Sequence, residues 1–176
     1  MRITLVGYMC SGKSTIGRKL AFTTGHNFLD LDERIEEKYH ISISDFFRKY
    51  DENAFRKTET ETLHEIMGEK EFILSTGGGT PCFFDNMEWI NHNSLSFYIE
   101  LPLEVLIHRI LESKKQRPML VNFSGSSLND FVAGQLEQRV PCYLRAHHTI
   151  NCTNKEVNTI ASEILNIWNS NRQSTN

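Results

Sequence analysis

Residues 7–14 read Gly7-Tyr-Met-Cys-Ser-Gly12-Lys13-Ser14, a match to G-x-x-x-x-G-K-[ST]. Chemically that spacing suits a phosphate: glycines let backbone N–H groups wrap the anion, a lysine reaches the β- and γ-phosphates, and a hydroxyl is left for Mg²⁺. Residue frequencies give odds of about one in 200 that such a pattern arises somewhere in a chain of this length by chance. A glycine turn before an exposed lysine is therefore the weaker reading, and ATP or GTP is the expected ligand.

Further along stand the groups that could serve an acceptor. Asp30-Leu-Asp32, read as the end of a strand, would aim both carboxylates at the phosphate loop, Asp30 ordering the waters of Mg²⁺ and Asp32 taking a proton from an acceptor hydroxyl. Alternatively, Asp32 only caps the next helix. Arg56 and Glu59 lie three residues apart, so on a helix Glu59 can orient the guanidinium toward an anion, or the two form an exposed ion pair. Gly77-Gly78-Gly79 would let backbone approach a ligand closely, or would simply be a loop. Arg117 sits in a basic stretch where it could cover a transferring phosphoryl group or remain solvated. Arg139 could bind an anion or merely complement a helix dipole.

These residues must be positioned by a regular scaffold, and the hydrophobic pattern supplies one. Short apolar runs at 3–6, 27–30, 72–75, 95–100 and 148–152 read as strands. Helical patterns lie between them, at 14–24, 32–39, 43–50, 52–67, 85–91, 102–112 and 128–139, with a last helix capped by Thr153 and Glu156 and reaching Trp168. Gly68 is expected to end its helix in the left-handed conformation. Residues 114–127 carry Lys114, Lys115 and Arg117 without periodicity and read as a long mobile loop. Strand and helix alternating five times predicts an α/β fold, three layers deep, with a five-stranded parallel sheet.

Composition limits what this scaffold can be. A chain of 176 residues, 39% hydrophobic and 23% charged, is one globular domain and needs no disulfide or structural metal to hold it. The net charge of −3 excludes a global field for nucleic acid or anionic membrane, so anionic ligands must be met locally. Cys10, Cys82, Cys142 and Cys152 show no metal-ligand spacing. The seven histidines are scattered, with none paired at i, i+4. No export signal or membrane span is apparent, so the expected location is the cytoplasm. A guanine-nucleotide switch is excluded by the lack of D-x-x-G and of a complete N-K-x-D, the nearest stretch being Asn154-Lys-Glu-Val157. A small kinase remains.

In order and approximate spacing, the phosphate loop, Phe28-Leu-Asp-Leu-Asp32, Ser42-Ile-Ser44, Phe55-Arg56 with Glu59, Ser75-Thr-Gly-Gly-Gly79, Arg117-Pro-Met-Leu120 and Arg139-x-Pro-x-Tyr143 resemble the shikimate kinase family. The match runs from Met1 to about Trp168 as a single domain, leaving 169–176 as a polar tail. The resemblance implies a P-loop kinase of the nucleoside monophosphate kinase type, with acceptor-binding helices at about 32–60 and a mobile lid at about 113–127. It implies ATP-dependent phosphorylation of the 3-hydroxyl of shikimate to shikimate 3-phosphate, a step toward aromatic amino acids, by a monomer using Mg²⁺. By the same resemblance ATP would meet Cys10, Ser11, Gly12, Lys13, Ser14, Thr15, Arg109 and Arg117, with Arg109 against adenine. Mg²⁺ would be held by Ser14 and, through water, Asp30. Shikimate would meet Asp32, Arg56, Gly77, Gly78, Gly79 and Arg139, and Lys13, Asp32 and Arg117 would be catalytic.

Three positions depart from the family's pattern. Cys10 stands where Gly or Ala is usual, which suggests sensitivity to thiol reagents, Arg145 falls in a stretch that is often acidic, and His147 replaces a common Asp. Another small-molecule kinase of this fold, acting on gluconate or a nucleoside monophosphate, would need other acceptor chemistry than two arginines and D-x-D. A regulatory module without turnover would be expected to lose Lys13, Asp32 or Arg117, all of which are present.

Overall fold

A computed structural model describes residues 1–113 and 126–173. Residues 114–125 of the expected lid, Arg117 among them, lie outside the described residues, and a helix begins at Ser126. Five parallel strands, β1 (Arg2–Val6), β2 (Phe28–Asp30), β3 (Phe72–Ser75), β4 (Leu95–Glu100) and β5 (His148–Asn151), form one sheet in the order β2-β3-β1-β4-β5. The central strand β1 pairs Ile3 with Ile73 on one side and with Leu95 on the other. Its side chains are buried on both faces, as a parallel sheet covered by helices requires.

Helices cover each face. On one, α1 (Lys13–Thr24) packs against α8 (Val157–Gln173). On the face shown by Thr4, α5 (Asn86–Asn93) is pinned by the hydrogen bond between the Thr4 and Ser94 hydroxyls at 2.6 Å, and α4 (Glu52–Met67) packs against α5 and α2 (Leu31–Tyr39). α3 (Ile43–Lys49), α6 (Leu103–Glu112) and α7 (Ser126–Tyr143) complete the set. The N-termini of α3 and α4 follow from local chemistry, since the Ser42 side chain accepts the Asp45 N–H and the Asp51 side chain accepts the Ala54 N–H.

Several boundaries differ from the sequence pattern for identifiable reasons. Asp32 is not a strand residue: β2 ends at Asp30, whose side chain caps α2 by accepting the Asp32 N–H at 3.2 Å. Gly68 closes α4 in the right-handed region, φ −75°, with its N–H bonded to carbonyls of the last turn, whereas Gly25, φ 73°, and His40, φ 53°, end α1 and α2 in the left-handed one. α7 runs past Arg139 and through Pro141, which lacks an N–H but does not prevent Leu144 N–H from reaching the Val140 carbonyl at 2.9 Å. Thr153 and Glu156 form no capping box; α8 starts at Val157, and the Thr153 N–H goes to the Asn151 side chain instead. The stretch from Asn169, expected as a frayed tail, continues α8 to Gln173, with Asn171 bonding back to the Ile167 carbonyl.

Candidate active site

The phosphate loop leaves the C-terminal end of β1 and enters α1 through two glycines with positive φ, Gly7 at 139° and Gly12 at 100°. Cys10 also adopts a positive φ, 61°, the region that glycine occupies without a Cβ clash. Lys13, only 6% exposed, folds back so that its Nζ donates to the carbonyls of Gly7 at 2.9 Å and Tyr8 at 2.8 Å. Ser14 Oγ donates to Asp30 Oδ2 at 2.6 Å and lies 3.1 Å from Ser75 Oγ. Arg109, from α6, reaches the loop from outside, its Nη1 donating to the carbonyls of Ser11 at 3.3 Å and Cys10 at 3.4 Å.

A cleft of about 440 Å³ opens over this loop, bordered by Lys13, Ser14, Thr15, Asp30 and Arg109. Next to it lies a second, more apolar pocket walled by Ile43, Phe47 and Phe55, with Arg56, Glu59 and Arg139 supplying charge. Met9, Asp32, Gly77 and Gly78 border both. A group bound in one pocket therefore faces a group bound in the other across Asp32, the arrangement a transfer between two ligands needs. The crevice lies beyond the carboxyl ends of the strands, where open α/β sheets place their ligands.

Arg56 is 5% exposed and is fixed from several sides. Its Nη1 donates to Glu59 Oε2 at 2.8 Å and its Nη2 to Glu52 Oε1 at 3.1 Å, while the guanidinium lies 4.1 Å from the centre of the Phe83 ring. Glu59, 1% exposed, also accepts a 2.5 Å hydrogen bond from Thr80 Oγ1. The i, i+3 pair is thus a buried, oriented contact and not an exposed one. A Cβ at Gly79 would lie 2.8 Å from both terminal nitrogens of Arg56, so a side chain there would displace that guanidinium.

Arg139 reaches the same pocket from α7, with its guanidinium carbon 5.6 Å from the centre of the Tyr8 ring. Tyr143, one turn on, donates its hydroxyl to the Gly78 carbonyl and so holds the glycine triplet. Burial raises the phenols of Tyr8 and Tyr98 to about 12 and that of Tyr143 further, so all three remain neutral donors at physiological pH.

Every described member of the expected site set borders this crevice or supports it; Arg117 alone falls outside the described residues. Spacing did not bring out Tyr8, Gln135, Thr80 or Phe83, which meet the site through distant parts of the chain. Glu52 did carry a signal, because it stands four residues before Arg56. The Cys142 thiol donates to the Pro81 carbonyl at 2.7 Å; the neighbouring Cys142 and then burial raise the Cys82 thiol, while Cys82 lowers that of Cys142. Two of the departures tie the α7–β5 turn to its neighbours, Arg145 pairing with Glu88 at 3.0 Å and His147 Nδ1 accepting the Ser96 N–H at 3.2 Å.

Among the described residues no three His, Cys, Asp or Glu side chains cluster as a metal site, and no helix is long and apolar enough to cross a membrane. Ser14, Asp30 and Ser75 are hard oxygen donors beside the phosphate loop, a set that fits Mg²⁺ when phosphate oxygens and water complete its shell.

The family model described as shikimate kinase matches residues 9–169. A shikimate kinase of Parabacteroides distasonis is 41% identical over 170 residues, covering 94% of this chain and 98% of the relative. The crystal structure of the Bacteroides thetaiotaomicron shikimate kinase superposes with a TM-score of 0.91 at 34% identity, covering 96% of this chain and 98% of that one. The Acinetobacter baumannii shikimate kinase, solved in complex with shikimate, gives 0.88 at 35% identity, covering 96% of this chain and 93% of that one.

Proposed function

This chain belongs to the shikimate kinase family, and from that premise we propose that it transfers the γ-phosphoryl group of ATP to the 3-hydroxyl of shikimate. The observation that carries the reading is the pairing of pockets: a phosphate loop on one side, two arginines on the other, and Asp32 between them. Shikimate offers one carboxylate and three ring hydroxyls. Arg56 and Arg139 would grip the carboxylate, each able to give two parallel N–H bonds, and the Gly78 N–H would add a backbone donor. Phe47, Phe55 and Ile43 would cover the ring's apolar face. Asp32 would hold the hydroxyls and accept the proton of the attacking one.

On the nucleotide side Cys10 to Thr15 would wrap the phosphates, and Lys13 would exchange its two carbonyl partners for phosphate oxygens. Arg109, already on the outer side of the loop, is the candidate for the adenine contact. Ser14, with Asp30 through water, would hold Mg²⁺, which when bound neutralises charge on the β- and γ-phosphates. Arg117 would cover the phosphoryl group in transit. A loose transition state asks little of the base, so positioning and charge neutralisation supply most of the rate. The same reading takes the enzyme as a monomer, and its demand for ATP suits the cytoplasm.

The test is ADP release from Mg²⁺-ATP with shikimate, gluconate and AMP offered separately. Turnover on shikimate alone is expected. Turnover on gluconate or AMP without shikimate activity overturns the proposal.

A further inference from the structure

Tyr8 is the second residue of the phosphate loop, and no role above uses its side chain. It is 1% exposed, which is unusual for the tip of a ligand-binding loop, and each of its parts has a different partner. Its carbonyl accepts from Lys13 Nζ at 2.8 Å. Its hydroxyl donates to Gln135 Oε1 at 2.8 Å. Its ring lies under the Arg139 guanidinium, 5.6 Å from centroid to carbon, within cation–π range.

Gln135 and Arg139 are four residues apart on α7 and so share one stripe of that helix. Tyr8 therefore contacts α7 at two successive turns while its own backbone holds the lysine of the phosphate loop. Arg139, half-buried, needs such support: α7 contributes it from a single helix face, and it has no acidic partner of the kind that Glu59 gives Arg56 among the ion pairs of the described residues. The high pKa of the phenol keeps the hydroxyl a donor across the working pH range.

We propose that Tyr8 is a positioning residue for the acceptor site: its ring and hydroxyl hold Arg139 and the adjoining face of α7 in the orientation that binds the acceptor carboxylate, so that acceptor affinity follows the state of the phosphate loop. When phosphate draws Lys13 away from the Tyr8 carbonyl, the loop adjusts, and the ring transmits that adjustment to Arg139. The inference rests on shikimate being the acceptor, and wild-type turnover decides that point first. An inactive wild type would remove both readings together, whereas an active wild type with unaffected Tyr8 variants would remove this one alone.

Three variants test it: Tyr8→Leu removes the ring and hydroxyl, Tyr8→Phe removes the hydroxyl only, and Gln135→Ala removes its partner from the α7 side. Thermal melts establish that each is folded. For Tyr8→Leu the shikimate KM is expected to rise about five- to tenfold, the size of a lost cation–π contact with one oriented hydrogen bond, while kcat stays within about twofold. The factor by which a non-hydrolysable ATP analogue tightens or loosens shikimate binding, measured by calorimetry, is expected to move toward one in the same variant. Tyr8→Phe, which keeps the ring and loses the hydrogen bond to Gln135, should raise the shikimate KM about two- to threefold, and Gln135→Ala should match it. An unchanged shikimate KM in Tyr8→Leu overturns the proposal, as does an equal rise in the KM of ATP. Should Tyr8→Leu fail to fold, wild-type values of both KM and the coupling factor in Tyr8→Phe and Gln135→Ala overturn it.

Discussion

Replacing Arg56 by alanine separates two roles that the structure gives one side chain. Glu59, 1% exposed, would lose its 2.8 Å ion pair and keep Thr80 as its partner. Removing one member of a buried pair typically costs about 3–5 kcal/mol, because the other charge stays desolvated. The Glu52 contact, with a half-exposed carboxylate, adds little. In a domain of this size each kcal/mol corresponds to about 2–4 °C, so the expected fall in Tm is about 6–20 °C. The acceptor site loses a charged, two-pronged donor at the same time. Hydrogen bonds to charged groups contribute about 1.5–3 kcal/mol, which predicts a rise in the shikimate KM of about 10- to 150-fold with kcat little changed. Calorimetry gives the first quantity and steady-state ADP release the second. Arg56→Lys distinguishes them: a cation near Glu59 should restore most of the Tm, whereas the point charge of lysine should leave KM high. A Tm shift under about 2 °C in Arg56→Ala would refute the buried-pair reasoning, and a normal KM with depressed kcat would refute the carboxylate clamp.

The remaining predictions concern single contacts. Gly79→Ala places a Cβ 2.8 Å from both Arg56 terminal nitrogens, so the shikimate KM should rise several-fold with the ATP KM unchanged, and an unchanged shikimate KM would show that Arg56 is not held where the structure has it. Cys10→Gly relieves a left-handed residue at φ 61° and should stabilise the protein by up to about 1 kcal/mol, while abolishing whatever thiol-reagent inactivation ATP prevents; ATP-protected inactivation persisting in the variant would place the sensitive thiol elsewhere. Burial, and then the neighbouring His148, lower the His147 pKa below its ordinary value near 6.5, so the fold favours the neutral ring. Its stabilising contribution is therefore complete above about pH 6.5 and lost as pH falls through the lower folded value. Melting curves from pH 8 to 5 should show a steeper acid loss in wild type than in His147→Asn, and parallel curves would contradict the assignment.

How far the sequence could be read depended on whether an interaction was local. The phosphate loop was legible because strand, glycines, lysine and hydroxyl are consecutive. Arg56 and Glu59 were visible as a pair, but their burial was not, since it depends on Thr80 and Phe83 arriving from beyond β3. The D-x-D stretch misled on geometry, because a strand three residues long ends where its last aspartate becomes the cap of the next helix. The helical pattern was read to Arg139, whereas α7 runs on through Pro141 to Tyr143. Tyr8 illustrates the limit: Gln135 and Arg139 are more than a hundred residues away, and no spacing rule relates them to a loop tyrosine.

Phosphorus–proton NMR of the reaction of Mg²⁺-ATP with shikimate tests the central claim most directly. One phosphate ester, coupled to the proton at the 3-position and formed in step with ADP, is the predicted result. ATP consumption with no such ester, or an ester at another hydroxyl, would contradict the placement of the acceptor between Asp32 and the two arginines.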